Sequence, residues 1–301
     1  IADVMDSARA ADAGADWPRA NTAAEAAEQF WSVAETSHSV CPATPDATAL
    51  RPRIAYVRDS ALWFYYEENL EALERAGAEL VRLEVVGPNA GQWPTLRGSG
   101  QPAAGGEIDG LYLGGGFPED CAAALSASPQ LHKLAAWADA GLPIYAECGG
   151  FMLLSQGIER DGKLWPMSGI FPVVAKFCPK PQGLGYVRGT VTADNPFFSQ
   201  GMEILGHEFH YSRCRWQGPA PAHGMLLRKG QGMGPYMGQG QDGQGRSPDA
   251  GKNAQNIDGL LRRNVWASYT HIFAPAIPCW ATNFVAAARR FAMSAESQRS
   301  A

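Results

Sequence analysis

One cysteine in the sequence is placed like the nucleophile of a hydrolytic enzyme. Cys148 follows the apolar run 142–146, which is typical of a buried parallel strand. Gly149 and Gly150 come directly after it, and the next four residues are typical of the first turn of a helix. A sharp strand-to-helix turn needs small neighbours and exposes the side chain at its apex. The helix N-terminus would also favour the thiolate, so we predict a nucleophile here. A small buried cysteine in a structural corner is the alternative.

Backbone N–H groups near Cys148 are predicted to stabilise the oxyanion that forms when its sulfur attacks a carbonyl group. The N–H of Gly149 is the first predicted donor. The second comes from a glycine turn, Gly114 to Gly116, after the predicted strand 108–113, with Gly115 and Gly116 as the expected donors. The turn has no Gly-x-Gly-x-x-Gly pattern and no lysine follows it, so it is not a P-loop. A plain tight turn is the alternative.

A cysteine nucleophile also needs a base that takes the thiol proton and later protonates the leaving group. The sequence has six histidines. Three are poor candidates because they lie in a polar linker, a predicted surface helix and a Pro/Gly loop: His38, His132 and His223. The remaining candidates are His207, His210 and His271. The last of these follows the apolar run 265–269, at the carboxyl end of a predicted strand.

The composition of the 301-residue chain restricts its class. Hydrophobic residues are 46% and charged residues 18%, as in soluble globular proteins, and the net charge of -5 gives no reason to expect a nucleic-acid partner. No apolar run approaches the roughly 20 residues that a membrane span requires. The cysteines contain no Cys-x-x-Cys pair, so no metal site is predicted. Because Ile1 is not an initiator Met and no signal-like segment follows, we expect a fragment of a longer, cytoplasmic polypeptide.

The order of strands and helices predicts one α/β domain over residues 53–292. Strand 53–57, helix 69–76 and strand 79–83 form a βαβ unit, which implies a parallel sheet. Further helices are predicted at 119–140 and 276–292. The aromatic run 63–66 follows the first strand, at the edge where open α/β sheets bind ligands, although simple packing is the alternative.

Three segments are expected to lie outside this core. Residues 1–52 are rich in Ala and punctuated by prolines, which predicts a linker or the end of a preceding domain. Residues 229–256 are rich in Gly and Gln, which predicts a flexible insertion. Residues 293–301 are polar and are predicted to form a tail.

Five stretches resemble the class I glutamine amidotransferase domain of the cobyrinic acid a,c-diamide synthase family. They occur in the family's order between residues 53 and 291: 112–119, 146–150, 181–187, 206–212 and 266–271. The fourth residue after the nucleophile is Met152, as in the a,c-diamide branch, whereas the related cobyric acid synthases have Gln there. The resemblance implies a flavodoxin-like, mostly parallel α/β sheet with helices on both faces.

The resemblance also implies roles for particular residues. Cys148 would attack the side-chain amide of L-glutamine, with His271 as its partner. In most class I amidotransferases Pro-Glu follows this histidine, and that Glu orients the ring. Here Ile272 and Phe273 follow, which leaves a Cys-His dyad or a substitute acid from elsewhere in the chain.

Four further residues are weaker candidates for substrate binding. Gln182 and Gly183 could shape a glutamine pocket. Glu208 and His210 form an acid/imidazole pair in a strand-like segment, which could position a substrate or an interdomain contact. A polar network that supports the fold explains the pair equally well.

The resembled enzymes carry an ATP-dependent ligase domain with a P-loop, which activates a tetrapyrrole carboxylate. This sequence has no Gly-x-x-x-x-Gly-Lys-Ser/Thr, so ATP and Mg are expected only in a ligase domain, upstream in the same polypeptide or on a partner chain. The chain itself would need no cofactor, and it could form a homodimer. The predicted role is to supply ammonia for cobyrinate a,c-diamide synthesis in cobalamin biosynthesis. Amidation of siroheme or Ni-sirohydrochlorin is the alternative, and a stand-alone cysteine hydrolase or an inactive binding domain is the alternative from another class.

Overall fold

The computed structural model describes residues 50–100, 103, 105–218, 222–235, 255–277 and 279–299. Two predicted segments therefore lie largely outside the described residues. These are the N-terminal linker, of which residues 1–49 are not described, and the Gly/Gln-rich insertion, of which residues 236–254 are not described.

The described residues form sixteen strands and five α-helices. The strands are β1 Arg53–Val57, β2 Glu79–Leu83, β3 Thr95–Leu96, β4 Glu107–Ile108, β5 Gly110–Leu113, β6 Ile144–Glu147, β7 Ser155–Arg160, β8 Lys163–Pro166, β9 Phe171–Phe177, β10 Gly183–Val191, β11 Glu203–His210, β12 Ser212–Trp216, β13 His223–Lys229, β14 Ile257–Arg262, β15 Val265–Ser268 and β16 His271–Ile272. The α-helices are α1 Glu67–Arg75, α2 Ala122–Ser126, α3 Pro129–Asp139, α4 Gly149–Leu154 and α5 Cys279–Arg299.

Ten strands build the main sheet, in the order β16-β11-β10-β13-β14-β15-β6-β5-β1-β2. The five strands from β15 to β2 pair in parallel, and the remaining pairs are antiparallel. The predicted α/β fold is confirmed, and the sheet is longer and more mixed than the sequence indicates. Strands β5, β6 and β15 are buried throughout, as parallel strands are, whereas β11 alternates between buried and half-buried positions.

Helices cover both faces of the parallel half, as predicted. Successive residues of β6 enter two different hydrophobic clusters, because side chains alternate across a strand. Ile144 and Ala146 pack in a cluster that contains residues of α3 and α4, whereas Tyr145 packs in a cluster that contains residues of α1 and α5. The strand that leads to Cys148 is therefore enclosed on both sides.

Two helices differ from their predicted bounds. The segment predicted as one helix over 119–140 is divided into a 3₁₀ turn, Pro118–Cys121, and the helices α2 and α3. Proline at position 129 explains the break, since it fits the first turn of a helix and not its interior. The last helix continues to Arg299, where the predicted tail was expected, and Arg299 forms an ion pair with Glu107.

Smaller elements complete the fold. A second sheet has the order β12-β9-β7-β8, and β3 pairs with β4. Within the described part of the chain, no helix combines the length and the apolarity needed to cross a membrane.

Candidate active site

Cys148 lies at the apex of the turn between β6 and α4, as the sequence predicts. Its backbone has φ 48° and ψ -101°, a conformation that residues with a side chain rarely adopt. Such strain costs on the order of 1–3 kcal/mol and persists only where the surroundings impose it. The backbone N–H of Cys148 donates to Ser268 O at 2.7 Å, which ties the apex to the neighbouring strand β15.

The two glycines after Cys148 are required by close packing. A Cβ atom on Gly150 would lie 2.3 Å from Leu113 O, and one on Gly149 would lie 3.0 Å from Gly116 N. The N–H of Gly150 donates to Gly114 O at 2.8 Å. The nucleophile turn and the glycine turn are therefore packed backbone against backbone.

The sulfur of Cys148 is enclosed, although the sequence predicts an exposed side chain. Cys148 is only 4% exposed, and its Sγ lies 3.7 Å from Phe209 O, because β11 lies over the apex. Burial raises the pKa of the Cys148 thiol well above its ordinary value, and the carboxylates of Glu119 and Glu147 raise it further. The N–H of Gly149 acts in the opposite direction. The expected thiolate is thus disfavoured in the unliganded site, because desolvation outweighs the dipole of a helix of six residues.

His271 is the histidine that reaches the glycine turn. A Cβ atom on Gly115 would lie 2.4 Å from His271 Cε1 and 3.3 Å from His271 Nε2. Phe64 packs against the imidazole ring with centroids 5.0 Å apart, so the aromatic run after β1 does line the site. The ring is buried.

Behind His271 lies Glu147, a carboxylate that sequence reasoning did not single out. His271 Nδ1 is 3.6 Å from Glu147 Oε2 and has no hydrogen-bond partner among the described residues. Glu147 Oε2 accepts a hydrogen bond from the Tyr112 hydroxyl at 3.0 Å, and its Oε1 accepts one from Ile272 N at 3.1 Å. The one available signal was a charged residue at the end of a fully buried strand. Glu147 thus places a carboxylate on the Nδ1 side of His271, whereas the sequence after His271 provides none.

His207 stacks on the ring of His271 and is a poor base. It is the cross-strand neighbour of His271, and the two rings stack with centroids 4.8 Å apart. Burial, together with the neighbouring His271, lowers the pKa of His207 to about 3. His207 is therefore neutral at physiological pH and provides a flat surface against which His271 packs.

The glycine turn offers one candidate oxyanion donor rather than two. The N–H of Gly115 donates to Phe64 O at 2.9 Å, so the predicted oxyanion role of Gly115 is wrong for this structure. Its role is steric, because any side chain there would displace His271. Gly116 is half-buried and its N–H has no acceptor among the described residues. Gly116 and Gly149 pack against each other in the fold, so their N–H groups remain as the pair of candidate oxyanion donors.

The Glu208–His210 pair supports the fold. Glu208 accepts hydrogen bonds from Gln231 N and Gly232 N, each at 2.7 Å, and His210 Nε2 lies 3.4 Å from its carboxylate. A Cβ atom on Gly183 would lie 2.2 Å from His210 Nε2, so this glycine makes room for the pair. These contacts favour the polar-network alternative over a substrate-binding role.

Gln182 is engaged away from the nucleophile. Its amide donates to Lys180 O at 2.7 Å and accepts a hydrogen bond from Arg213 Nε. Both polar atoms of the amide are therefore used locally, which explains the residue without a glutamine pocket.

One buried carboxylate holds the segment that leads to His271. Asp258 is fully buried and accepts hydrogen bonds from Tyr269 N and Thr270 N, each at 3.0 Å, and from the Thr270 hydroxyl at 2.6 Å. Its own neighbour Gly259 N donates to it at 3.0 Å. The position of His271 thus depends on a side chain in β14.

A cysteine at a strand-to-helix apex, with a histidine and a carboxylate held at the adjoining glycine turn of an α/β sheet, is the arrangement of a cysteine-dependent enzyme. The chain belongs to the CobB/CobQ-like glutamine amidotransferase domain family, whose model matches residues 53–276. All of the site residues described above lie within this match.

Curated relatives share this part of the chain. A cobyrinate a,c-diamide synthase of Magnetococcus marinus is 35% identical over 230 residues, which cover 76% of this chain and 42% of the relative. One of Dehalococcoides mccartyi is 36% identical over 255 residues, which cover 83% of this chain and 48% of the relative. The chain thus spans less than half the length of these relatives. A solved structure of a glutamine amidotransferase of Methylobacillus flagellatus aligns at TM-score 0.40 and 12% identity, covering 82% of this chain and 96% of that protein.

Proposed function

We propose that this chain is the glutamine-hydrolysing part of an ATP-dependent tetrapyrrole amidoligase, with cobyrinate as the acceptor in cobalamin biosynthesis. The observation that carries the proposal is that the strained Cys148 and a His271 backed by Glu147 meet at the same glycine turn, where Gly149 packs against Gly116 and His271 packs against Gly115. The relatives named cobyrinate a,c-diamide synthase support the acceptor, and siroheme or Ni-sirohydrochlorin remains the alternative acceptor.

The reaction begins with attack of the Cys148 sulfur on the side-chain amide carbon of glutamine. His271 takes the thiol proton as the carbon–sulfur bond forms, and the N–H groups of Gly116 and Gly149 stabilise the oxyanion. His271 then returns the proton to the leaving nitrogen, and ammonia departs as the carbon–nitrogen bond breaks. Water, deprotonated by His271, hydrolyses the thioester and releases glutamate.

Glu147 is proposed as a positioning residue in this scheme. With a proton on Nδ1 facing the Glu147 carboxylate, the Nε2 lone pair of His271 faces the glycine turn, which is the side on which a base is needed. The separation of 3.6 Å is longer than a hydrogen bond, and catalytic contacts of this kind commonly tighten when substrate binds.

The Glu147→Gln variant tests this role. We expect kcat for glutamine hydrolysis to fall by about 10²- to 10⁴-fold, because the amide cannot stabilise the imidazolium or select its tautomer. Folding should persist, since the amide oxygen can still accept from Ile272 N and the Tyr112 hydroxyl can turn to accept from the amide NH₂ group. The acidic limb of the pH–rate profile, which reports the general base, should shift, which a purely structural role would not cause. Glu71→Gln, on the surface of α1 beside Arg75, is the matched control. An unchanged kcat and profile would rule out the positioning role.

The experiment that tests the function as a whole compares the chain alone with the chain plus its ligase half. We expect the chain alone to bind Mg-ATP weakly or not at all in calorimetry, because its sequence lacks a P-loop. Glutaminase activity should rise when the ligase half, ATP and cobyrinate are added. Replacing cobyrinate by siroheme or Ni-sirohydrochlorin identifies the acceptor. Turnover of esters or peptides in preference to glutamine would instead indicate a stand-alone cysteine hydrolase.

A further inference from the structure

A second buried carboxylate, Glu119, lies next to the nucleophile turn and has no part in the scheme above. It belongs to the 3₁₀ turn Pro118–Cys121, which directly follows the glycine turn. Glu119 is only 6% exposed, yet its Oε2 has no hydrogen-bond partner among the described residues. A buried carboxylate oxygen without a partner is costly, so it indicates a site that a ligand completes.

The position of Glu119 connects it to Cys148. Gly116, three residues before Glu119, packs against Gly149, the residue after Cys148. A Cβ atom on Gly149 would lie only 3.0 Å from Gly116 N. Among the charged groups around Cys148, Glu119 has the largest influence on the thiol. Glu119 also interacts electrostatically with His210. The carboxylate is thus within electrostatic range of the sulfur.

We propose that Glu119 binds the α-ammonium group of the substrate glutamine and is a specificity-determining residue. The assignment rests on the proposed glutamine hydrolysis. Glutamine carries a neutral amide at one end and a single cationic group at the other. The Glu119 carboxylate, which accepts from its own backbone N–H and leaves Oε2 without a partner among the described residues, matches that cation. The protein cation with the largest influence on Glu119, Arg160, is engaged by Asp120 and Asp161.

This assignment couples recognition to the reactivity of the nucleophile. Burial is the main cause of the raised pKa of the Cys148 thiol, and the Glu119 carboxylate raises that pKa further, so an unoccupied site keeps the sulfur protonated. When the α-ammonium group neutralises Glu119, that obstacle to ionisation is removed. The thiol therefore becomes easier to deprotonate only when an α-amino acid is bound, which protects the cysteine from reacting with other carbonyl compounds.

The test compares glutamine with glutaramate, the same amide without the α-amino group. With the ligase half present, the wild-type chain should hydrolyse glutamine with a higher kcat/KM than glutaramate. The Glu119→Gln variant should lower kcat/KM for glutamine by roughly 10- to 100-fold, the factor expected for one charge-assisted hydrogen bond. Its kcat/KM for glutaramate should be unchanged or higher. Glu71→Gln, an exposed glutamate of α1 that pairs with Arg75, is the control and should preserve the preference for glutamine.

A stability measurement provides a second readout. Burial raises the pKa of the Glu119 carboxyl to about 7, and the negative charge of Asp120 acts in the same direction. Arg160 and His210 lower the pKa of Glu119, and the thiol of Cys148 is a further titratable group that interacts with it. Between about pH 4.5 and about pH 7 the folded chain therefore binds more protons than the unfolded chain. Stability falls as the pH rises through this window, and the Glu119→Gln variant should lose that dependence and unfold at a higher temperature at pH 8.

The outcomes separate this inference from the proposed function. If the wild-type chain hydrolyses neither amide, the proposed function fails and Glu119 has no substrate to bind. If it hydrolyses glutamine but Glu119→Gln changes both amides equally, only the assignment of Glu119 fails. A variant that unfolds more readily than wild type at pH 8 would show that Glu119 is a partnered structural group, and this would also overturn the assignment.

Discussion

Replacing Cys148 by alanine is expected to reduce glutamine hydrolysis by about 10⁴-fold or more, because no other group forms the thioester. The fold should be retained, since among the described residues the sulfur's hydrogen-bond contact is a long one, to Phe209 O at 3.7 Å. The measurements are glutamate release and the thermal unfolding midpoint. Synthesis of the amide product from free ammonia by the complete enzyme should survive, because only the source of ammonia is lost.

Cys178→Ala is the matched control, since Cys178 is a free cysteine on a surface loop whose sulfur contacts only Lys176 O among the described residues. It should leave both activities intact. Normal glutaminase activity in a well-folded Cys148→Ala variant would show that the nucleophile has been misassigned.

Replacing Asp258 by alanine is expected to destabilise the chain by about 3–5 kcal/mol, because it removes the acceptor of several buried N–H and O–H donors at once. The donors lie at Tyr269 and Thr270, directly before His271, so glutaminase activity should fall as well. Denaturant unfolding measures the first effect and glutamate release the second.

Thr270→Val gives a graded comparison. It removes only the hydroxyl donor to Asp258 and should cost about 1 kcal/mol, with activity largely retained. Equal losses in the two variants would mean that the carboxylate acts through the threonine hydroxyl alone and that the backbone donors are satisfied in another way.

Local patterns were sufficient to predict the nucleophile turn and the parallel strands. Cys148 lies between an apolar strand and two glycines, so residues close to it in sequence were enough to indicate the type of turn. The βαβ unit from β1 to β2 is equally local. For such segments, hydrophobic periodicity and small residues define the structure directly.

The acid behind His271 could not be predicted in the same way. Glu147 precedes Cys148 in sequence, but its partners Tyr112 and Ile272 are distant from it in sequence. The contact between Glu147 and Ile272 forms because the fold of the main sheet brings β16 beside the end of β6. The engagement of Gly115 by Phe64 and the burial of the thiol under Phe209 depend on the same long-range packing.

The left-handed backbone of Cys148 has a consequence for how the sequence can vary. Glycine would adopt φ 48° with less strain than cysteine does. In the proposed mechanism the catalytic conformation is therefore a strained one for Cys148. Selection for thermal robustness alone would therefore remove the cysteine. Under the proposed mechanism its presence reflects selection for turnover, and the Cys148→Gly variant should lose activity while its melting temperature rises.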